Sequence, residues 1–118
     1  MRFKGLKDNK IHNTKELNEE YRSSHSYGVT VIGSSHLFVK KGLSVYFIAY
    51  EDAERIFRRV RRVQAMMCCE NGELEIEYLV VTSDGRELIE VQLPGQKAAR
   101  MIMDELKSSV AGVEFGAP

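Results

Sequence analysis

The spacing of apolar residues changes character near Tyr27. Ahead of it they are sparse; after it, short apolar runs alternate with turn residues. Tyr27–Ile32, His36–Lys40 and Ser44–Tyr50 are rich in β-branched and aromatic residues and are separated by Gly33-Ser34-Ser35 and Lys41-Gly42, a pattern of strands joined by turns. Glu51-Asp52 ends the third run. Further along, Asn71-Gly72 and Asp84-Gly85 are both preferred dipeptides of two-residue hairpins, and they divide residues 60–93 into a three-strand meander. Ala53, Ile56, Phe57, Val60, Val63 and Met67 also follow helical spacing. Two turn signals that agree outweigh that moment, so Val60–Cys69 reads as strand, with Ala53–Phe57 as a helical turn leading into it.

Register follows from the turns. With two-residue loops, Met67 faces Ile76, Ala65 faces Tyr78 and Val63 faces Val80, while Val80 faces Ile89 and Tyr78 faces Val91. Side chains alternate along a strand and align across a pair. One face therefore gathers Val63, Ala65, Met67, Cys69, Leu74, Ile76, Tyr78, Val80, Ile89, Val91 and Leu93, and the other Met66, Cys68, Glu73, Glu75, Glu77, Glu90 and Gln92. The first is expected to be buried and the glutamates exposed. Val60, Leu79, Val81 and Leu88 then cluster on the outer face as candidate contacts for an N-terminal helix or a partner chain.

Pro94-Gly95 stops the sheet, and Gln96–Ser109 carries a helical stripe of Ala99, Ile102, Met103 and Leu106 that continues to Val110. Asn13 ahead of Thr14-Lys15-Glu16 reads as the N-cap of a short helix with Leu17 and Tyr21 on one face. That helix is too short to stand alone and must dock on something. Residues 1–12 offer little to bury and are expected to fray. The chain thus divides into an N-terminal extension with a short helix (1–26), one domain (27–110) and an irregular tail (111–118). The fold class is α+β, mainly β: a curled antiparallel sheet of six strands closed by the C-terminal helix.

Three local features carry a family resemblance: the His36-Leu37-Phe38-Val39-Lys40-Lys41-Gly42-Leu43 hairpin, the passage Tyr46-Phe47-Ile48-Ala49-Tyr50-Glu51-Asp52-Ala53 to Ile56, and the terminal helix. In these and in the order of elements, residues 27–110 resemble the bacterial pleckstrin-homology-like (PH-like) domains of unassigned function. The resemblance implies a partly open barrel of six or seven strands capped by the helix. Such domains usually have seven strands, so a further short one is sought near the N-terminus or around residues 55–60. In that family phosphoinositide binding commonly uses basic residues between the first two strands. Here that loop is Gly33-Ser34-Ser35, so the lipid function does not carry over.

Composition narrows the functional classes. The chain has 118 residues, enough for one domain, and its 17 Lys+Arg balance 17 Asp+Glu. Zero net charge argues against a surface devoted to a phosphate backbone. Neither a secretory signal nor a bilayer-spanning run is visible. Adjacent Cys68 and Cys69 make no disulfide framework, and a reducing, cytoplasmic setting is the simplest account. His12, His25 and His36 stand apart, with no HxxxH or CxxC, so neither a metal nor a cofactor is expected. Glu73, Glu75 and Glu77 read as a solvated strand face. Without a catalytic constellation the chain reads as a non-enzyme; a deep pocket with convergent polar groups would be the sign of one.

Arg55, Arg58, Arg59, Arg61 and Arg62 put five arginines within eight residues. They make either an anion-binding surface or a charged strand edge paired with nearby glutamates, and the zero net charge favours the edge. In a strand, Arg59 and Arg61 share one face and should reach carboxylates at the sheet rim near Thr82 and Asp84. Arg58 and Arg62 share the other face and, with Lys40 and Lys41, remain as weak candidates for ligand binding. The expected function is a non-catalytic binding module for a protein or peptide partner, or for self-association. The alternative is an anion-binding module for a lipid headgroup or nucleic acid, which leaves peripheral membrane contact open.

Overall fold

In the computed structural model, which describes residues 2–64 and 73–118, the apolar runs become two open sheets. The order is β1 (Arg2–Gly5), α1 (Lys15–Ser23), β2 (His25–Tyr27), β3 (Thr30–Ile32), β4 (His36–Lys41), β5 (Ser44–Ala49), a 3-10 turn (Tyr50–Asp52), β6 (Arg55–Gln64), β7 (Glu73–Ser83), β8 (Arg86–Gln92) and α2 (Gln96–Ser109). Five strands form one sheet in the order β1-β5-β4-β3-β2, and β6-β7-β8 form the other. The α+β, mainly β class holds. No helix among the described residues is long and apolar enough to cross a membrane. The readings at Ala65, Met66, Met67, Cys68, Cys69 and Asn71-Gly72 lie outside the described residues.

The strand count exceeds the expected six for two reasons. Tyr27–Ile32 is not one strand but a hairpin: Tyr27 pairs with Thr30 across Gly28-Val29, and Gly28 takes the left-handed φ of 63° that such a loop requires. Residues 2–5, expected to fray, form β1, which runs parallel to β5 with Phe3 opposite Val45. Phe3 is fully buried and packs with Leu17, Val31, Phe38 and Val45. The Phe3, Tyr21 and Phe38 rings meet edge to face, with centroids 5.3–5.9 Å apart. That aromatic contact fixes the otherwise polar N-terminus and gives α1 its dock. The α1 cap is Thr14 rather than Asn13: Thr14 Oγ1 accepts the Leu17 N–H at 3.2 Å, while Asn13 Oδ1 accepts the Phe3 N–H at 3.0 Å.

The larger core lies where both sheets meet α2. Ile32, Leu37, Ile48 and Tyr50 come from the first sheet and the turn after it, Ile56, Leu79 and Val81 from the second, and Ala99, Ile102, Met103 and Leu106 from α2. This corrects the expected faces. Val63 stands opposite Leu74, not Val80, and α2 selects the face bearing Ile56, Leu79 and Val81. Leu79 and Val81 are therefore buried by α2, Leu88 is half-buried against the same core, and only Val60 of the proposed outer cluster is exposed. It is α2, not α1, that packs over Leu79 and Val81.

Burial along β7 and β8 follows. Val80 is buried, but Ile76 and Tyr78 are half-buried, and Glu77, expected outside, is 4% exposed. Glu75 is exposed and Glu90 half-buried. Near the Asp84-Gly85 turn the expected pairs Ser83–Arg86 and Thr82–Glu87 form, and then the register shifts so that Val81 meets Ile89 and Leu79 meets Val91. Leu88 is the extra residue of this bulge. The shift turns Ile89 and Val91 to the α2 side, where both pack against the core. The helical turn expected at Ala53–Phe57 is instead the 3-10 turn at Tyr50–Asp52, with strand from Arg55, because Ile56 and Phe57 are both buried in pairs with Val81 and Val80.

Ile102 and Leu106 are fully buried. Ile102→Ala and Leu106→Ala should each lower the unfolding free energy by about 2–5 kcal/mol in urea titrations, the usual range for such truncations. A change under about 0.5 kcal/mol at both sites, the size of an ordinary surface substitution, would mean that α2 does not close this core.

Candidate functional site

The β1–α1 connector and α1 each contribute a carboxylate that holds an imidazole. In the connector, Asp8 Oδ1 accepts the Lys10 N–H at 3.0 Å and Oδ2 lies 2.7 Å from His12 Nε2. Those two hydrogen bonds, the backbone one first, hold the Asp8 carboxyl below its usual range. From α1, Glu20 reaches the turn between β3 and β4. Its Oε2 accepts the Ser35 and His36 N–H groups, both at 2.8 Å, and its Oε1 lies 2.8 Å from His36 Nδ1. A Cβ on Gly33 would come within 2.3 Å of Glu20 Oε2 and 2.8 Å of the His36 carbonyl oxygen, so only glycine admits this approach. The Tyr50 hydroxyl donates to the Gly33 carbonyl at 2.9 Å, and burial pushes that phenol well above its ordinary value.

Between the two pairs lies a cleft of about 500 Å³, within the range of small-ligand sites. Asp8, His12, Glu16, Glu20, His36 and Phe47 line it, with Glu51 and Asp52 beyond β5. Phe47 meets both imidazoles edge to face, at centroid distances of 5.6 Å from His12 and 5.7 Å from His36. Among the described residues Thr14 supplies the one hydroxyl of the lining. Among the described residues no group of three or more His, Cys, Asp or Glu is placed to hold a metal ion. Sequence reasoning treated His12 and His36 as isolated and overlooked this site. The four-residue spacing of Asp8 and His12 was the sole local hint, since the Glu20–His36 pair forms only when α1 docks. His25 lies elsewhere: its Nδ1 is 3.1 Å from Glu105 Oε1, which also accepts the Tyr27 hydroxyl at 2.8 Å. Burial and that hydrogen bond raise the Tyr27 phenol to about 12.

The arginine-rich strand is neutralised from within. Arg58, expected to be free, makes a two-pronged contact with the buried Glu77, Nε to Oε1 and Nη2 to Oε2. Glu77 is the diagonal cross-strand neighbour, because Arg58 itself stands opposite Leu79. Arg62 Nε is 3.5 Å from Glu75. Arg59 and Arg61 reach not the rim near Thr82 and Asp84 but over β7 to β8: Arg59 donates to Glu87 and to Glu90 (2.7 Å), and Arg61 to Glu90 (2.7 Å). Arg55 donates to the Gly116 carbonyl at 2.7 Å. Lys40 and Lys41 line one shallow cleft with β8, and Arg58 lines another with Arg100 and Lys107, so these ligand candidates are not gathered into one site.

Pairing leaves the outer edge of β6 open. The Ile56 N–H donates outward to the Glu114 carbonyl at 2.9 Å, and the Glu114 N–H donates to the Glu54 carbonyl at 3.2 Å. Continuing the alternation of an antiparallel ladder, Arg58, Val60 and Arg62 direct their N–H and C=O groups away from β7. Among the described residues no backbone group bonds to them there. Comparison with known proteins finds no matching family model, no matching curated protein and no matching solved structure.

Hydrogen bonds from Arg59 and Arg61 depress the Glu87 and Glu90 carboxyls. A depressed folded-state pKa contributes stability that is present above the unfolded value and is lost as pH falls through the folded one. The urea midpoint should therefore drop on acidification from about pH 6 to about pH 3, and Glu90→Gln should remove part of that drop. Because the pairs are still partly open to solvent, added salt should shrink the difference between the two proteins at neutral pH. Identical acid profiles for both proteins would mean the pairs contribute nothing to stability.

Proposed function

We propose that the chain is a non-catalytic binding module that accepts an extended segment of a partner protein as an added strand along β6. The observation that carries this reading is the open backbone edge at Arg58, Val60 and Arg62. Exposed edges are ordinarily guarded by charge. Here Arg58, Arg59 and Arg61 are drawn back over the sheet onto Glu77, Glu87 and Glu90, which leaves the edge itself unguarded. Val60 and Val63 stay exposed beside it and offer apolar contact on either face. In strand addition the main chain supplies affinity and alternate side chains supply selectivity. A second copy is the poorer occupant, because two β6 edges would set arginine against arginine. A segment that alternates acidic and apolar residues fits better, with an acidic one beside Arg62, whose 3.5 Å contact with Glu75 lies in solvent, and apolar ones beside Val60 and Val63.

The anion-binding alternative is weaker, since Arg55, Arg58, Arg59, Arg61 and Arg62 all have an oxygen partner within the chain. Membership of the PH-like domains belongs to the same proposal. What supports it is a run of seven strands, β2 to β8, followed by a single helix; the sheets stay open rather than closing into a barrel. A cytoplasmic site of action is likewise proposed, from the adjacent Cys68 and Cys69.

The test is Val60→Pro. The Val60 N–H faces away from β7, so proline there removes an outward donor while sparing the β6–β7 ladder. A labelled synthetic decapeptide of alternating acidic and apolar residues should bind the native chain and shift the amide signals of Arg58, Val60 and Arg62. Val60→Pro should weaken that binding about tenfold or more, through lost main-chain hydrogen bonds, with the circular dichroism spectrum unchanged. Equal binding by the variant, or no binding by the native chain, would refute the proposal. So would a dimer in sedimentation that the variant dissolves, which would make the occupant a second copy.

A further inference from the structure

We propose that the cleft beneath α1 binds a small organic cation rich in N–H donors, of the amine or guanidine class. His12 is held at Nε2 by Asp8 and His36 at Nδ1 by Glu20. In a neutral ring the nitrogen facing the carboxylate carries the proton, so the other nitrogen is an acceptor. Among the described residues no protein group bonds to His12 Nδ1 or His36 Nε2, although both residues line the cleft. With both rings neutral, the lining therefore includes two imidazoles that each keep one acceptor nitrogen without a protein partner among the described residues.

The rest of the lining has the same polarity. Glu16, Glu51 and Asp52 line the cleft, and none of their carboxylates takes part in a side-chain ion pair or hydrogen bond among the described residues. Among the described residues Lys7 is the one Lys or Arg of the lining, and its ammonium sits 3.8 Å from Asp84. A ligand must therefore bring the donors. An anion would meet unpaired carboxylates, and a neutral acceptor would find few partners. Phe47 and Leu17 supply apolar surface for the carbon body of such a ligand. The inference goes beyond the strand-addition reading and does not depend on it, since no lining residue lies on β6.

Agmatine and spermidine are suitable probes, with inorganic phosphate as the opposite-charge control. Titrating agmatine into the native chain should shift the imidazole nitrogen signals of His12 and His36 saturably. The double variant Glu51→Gln with Asp52→Asn changes two exposed side chains and should keep the native melting temperature. It should weaken agmatine binding about tenfold, the scale of losing a charge-assisted hydrogen bond. His12→Gln should weaken it as well. The proposal fails if neither cation produces a saturable shift up to about 10 mM, well above the range of a specific site. It fails also if the double variant and His12→Gln both bind as the native chain does, or if phosphate binds in place of the cations.

Discussion

Neither sheet closes on itself, so the apolar stripe of α2 is what the architecture rests on. A sheet with one apolar face has to bury it against another layer. Here two sheets present such faces to the same space, and Ala99, Ile102, Met103 and Leu106 fill it. The stripe decides which side of the meander is inside: it covers Leu79 and Val81 and leaves Val63 and Leu74 to solvent. The ion pair of Arg58 with Glu77 lies on that chosen side. A buried carboxylate is costly unless paired and hydrogen-bonded, and the two-pronged contact supplies both conditions.

The smaller core has a different logic. Phe3, Tyr21 and Phe38 draw the N-terminal strand and α1 onto the first sheet, and Glu20 fastens α1 to the turn before β4. The connector between β1 and α1 is polar and is held largely by its own hydrogen bonds. It arches over β5 without filling the space beneath it. The cleft is thus a by-product of joining a well-packed helix to the sheet by a segment that has little to bury.

What could be read from the chain follows from how local each feature is. The β4–β5 hairpin, the Asp84-Gly85 turn and the full extent of α2 were legible, because each depends on neighbouring residues and a clear periodicity. The parallel pairing of β1 with β5 was not. It hangs on one phenylalanine, Phe3, in a stretch that is otherwise charged or small. The buried face of the meander was misread because Leu79-Val80-Val81 is apolar on both sides. Alternation could not choose between the faces there; only α2 could. The arginines were legible as a paired edge strand, but their partners were not, because reaching Glu87 and Glu90 depends on the order of three strands. The cleft was least legible of all. Asp8 and His12 on the connector, Glu20 on α1 and His36 on β4 come from three different segments, and none carries a motif.

The bulge at Leu88 bears on how this chain tolerates change over generations. In a regular strand the identity of each residue matters and its count is fixed by the turn alone. In β8 the count does separate work: one surplus residue is what points Ile89 and Val91 inward and Glu90 outward. Deleting a single codon between Arg86 and Leu88 would remove no core side chain, yet it would exchange the inner and outer halves of the strand beyond it. Lineages of this protein should therefore vary freely in the exposed residues of β8 while conserving its length to the residue.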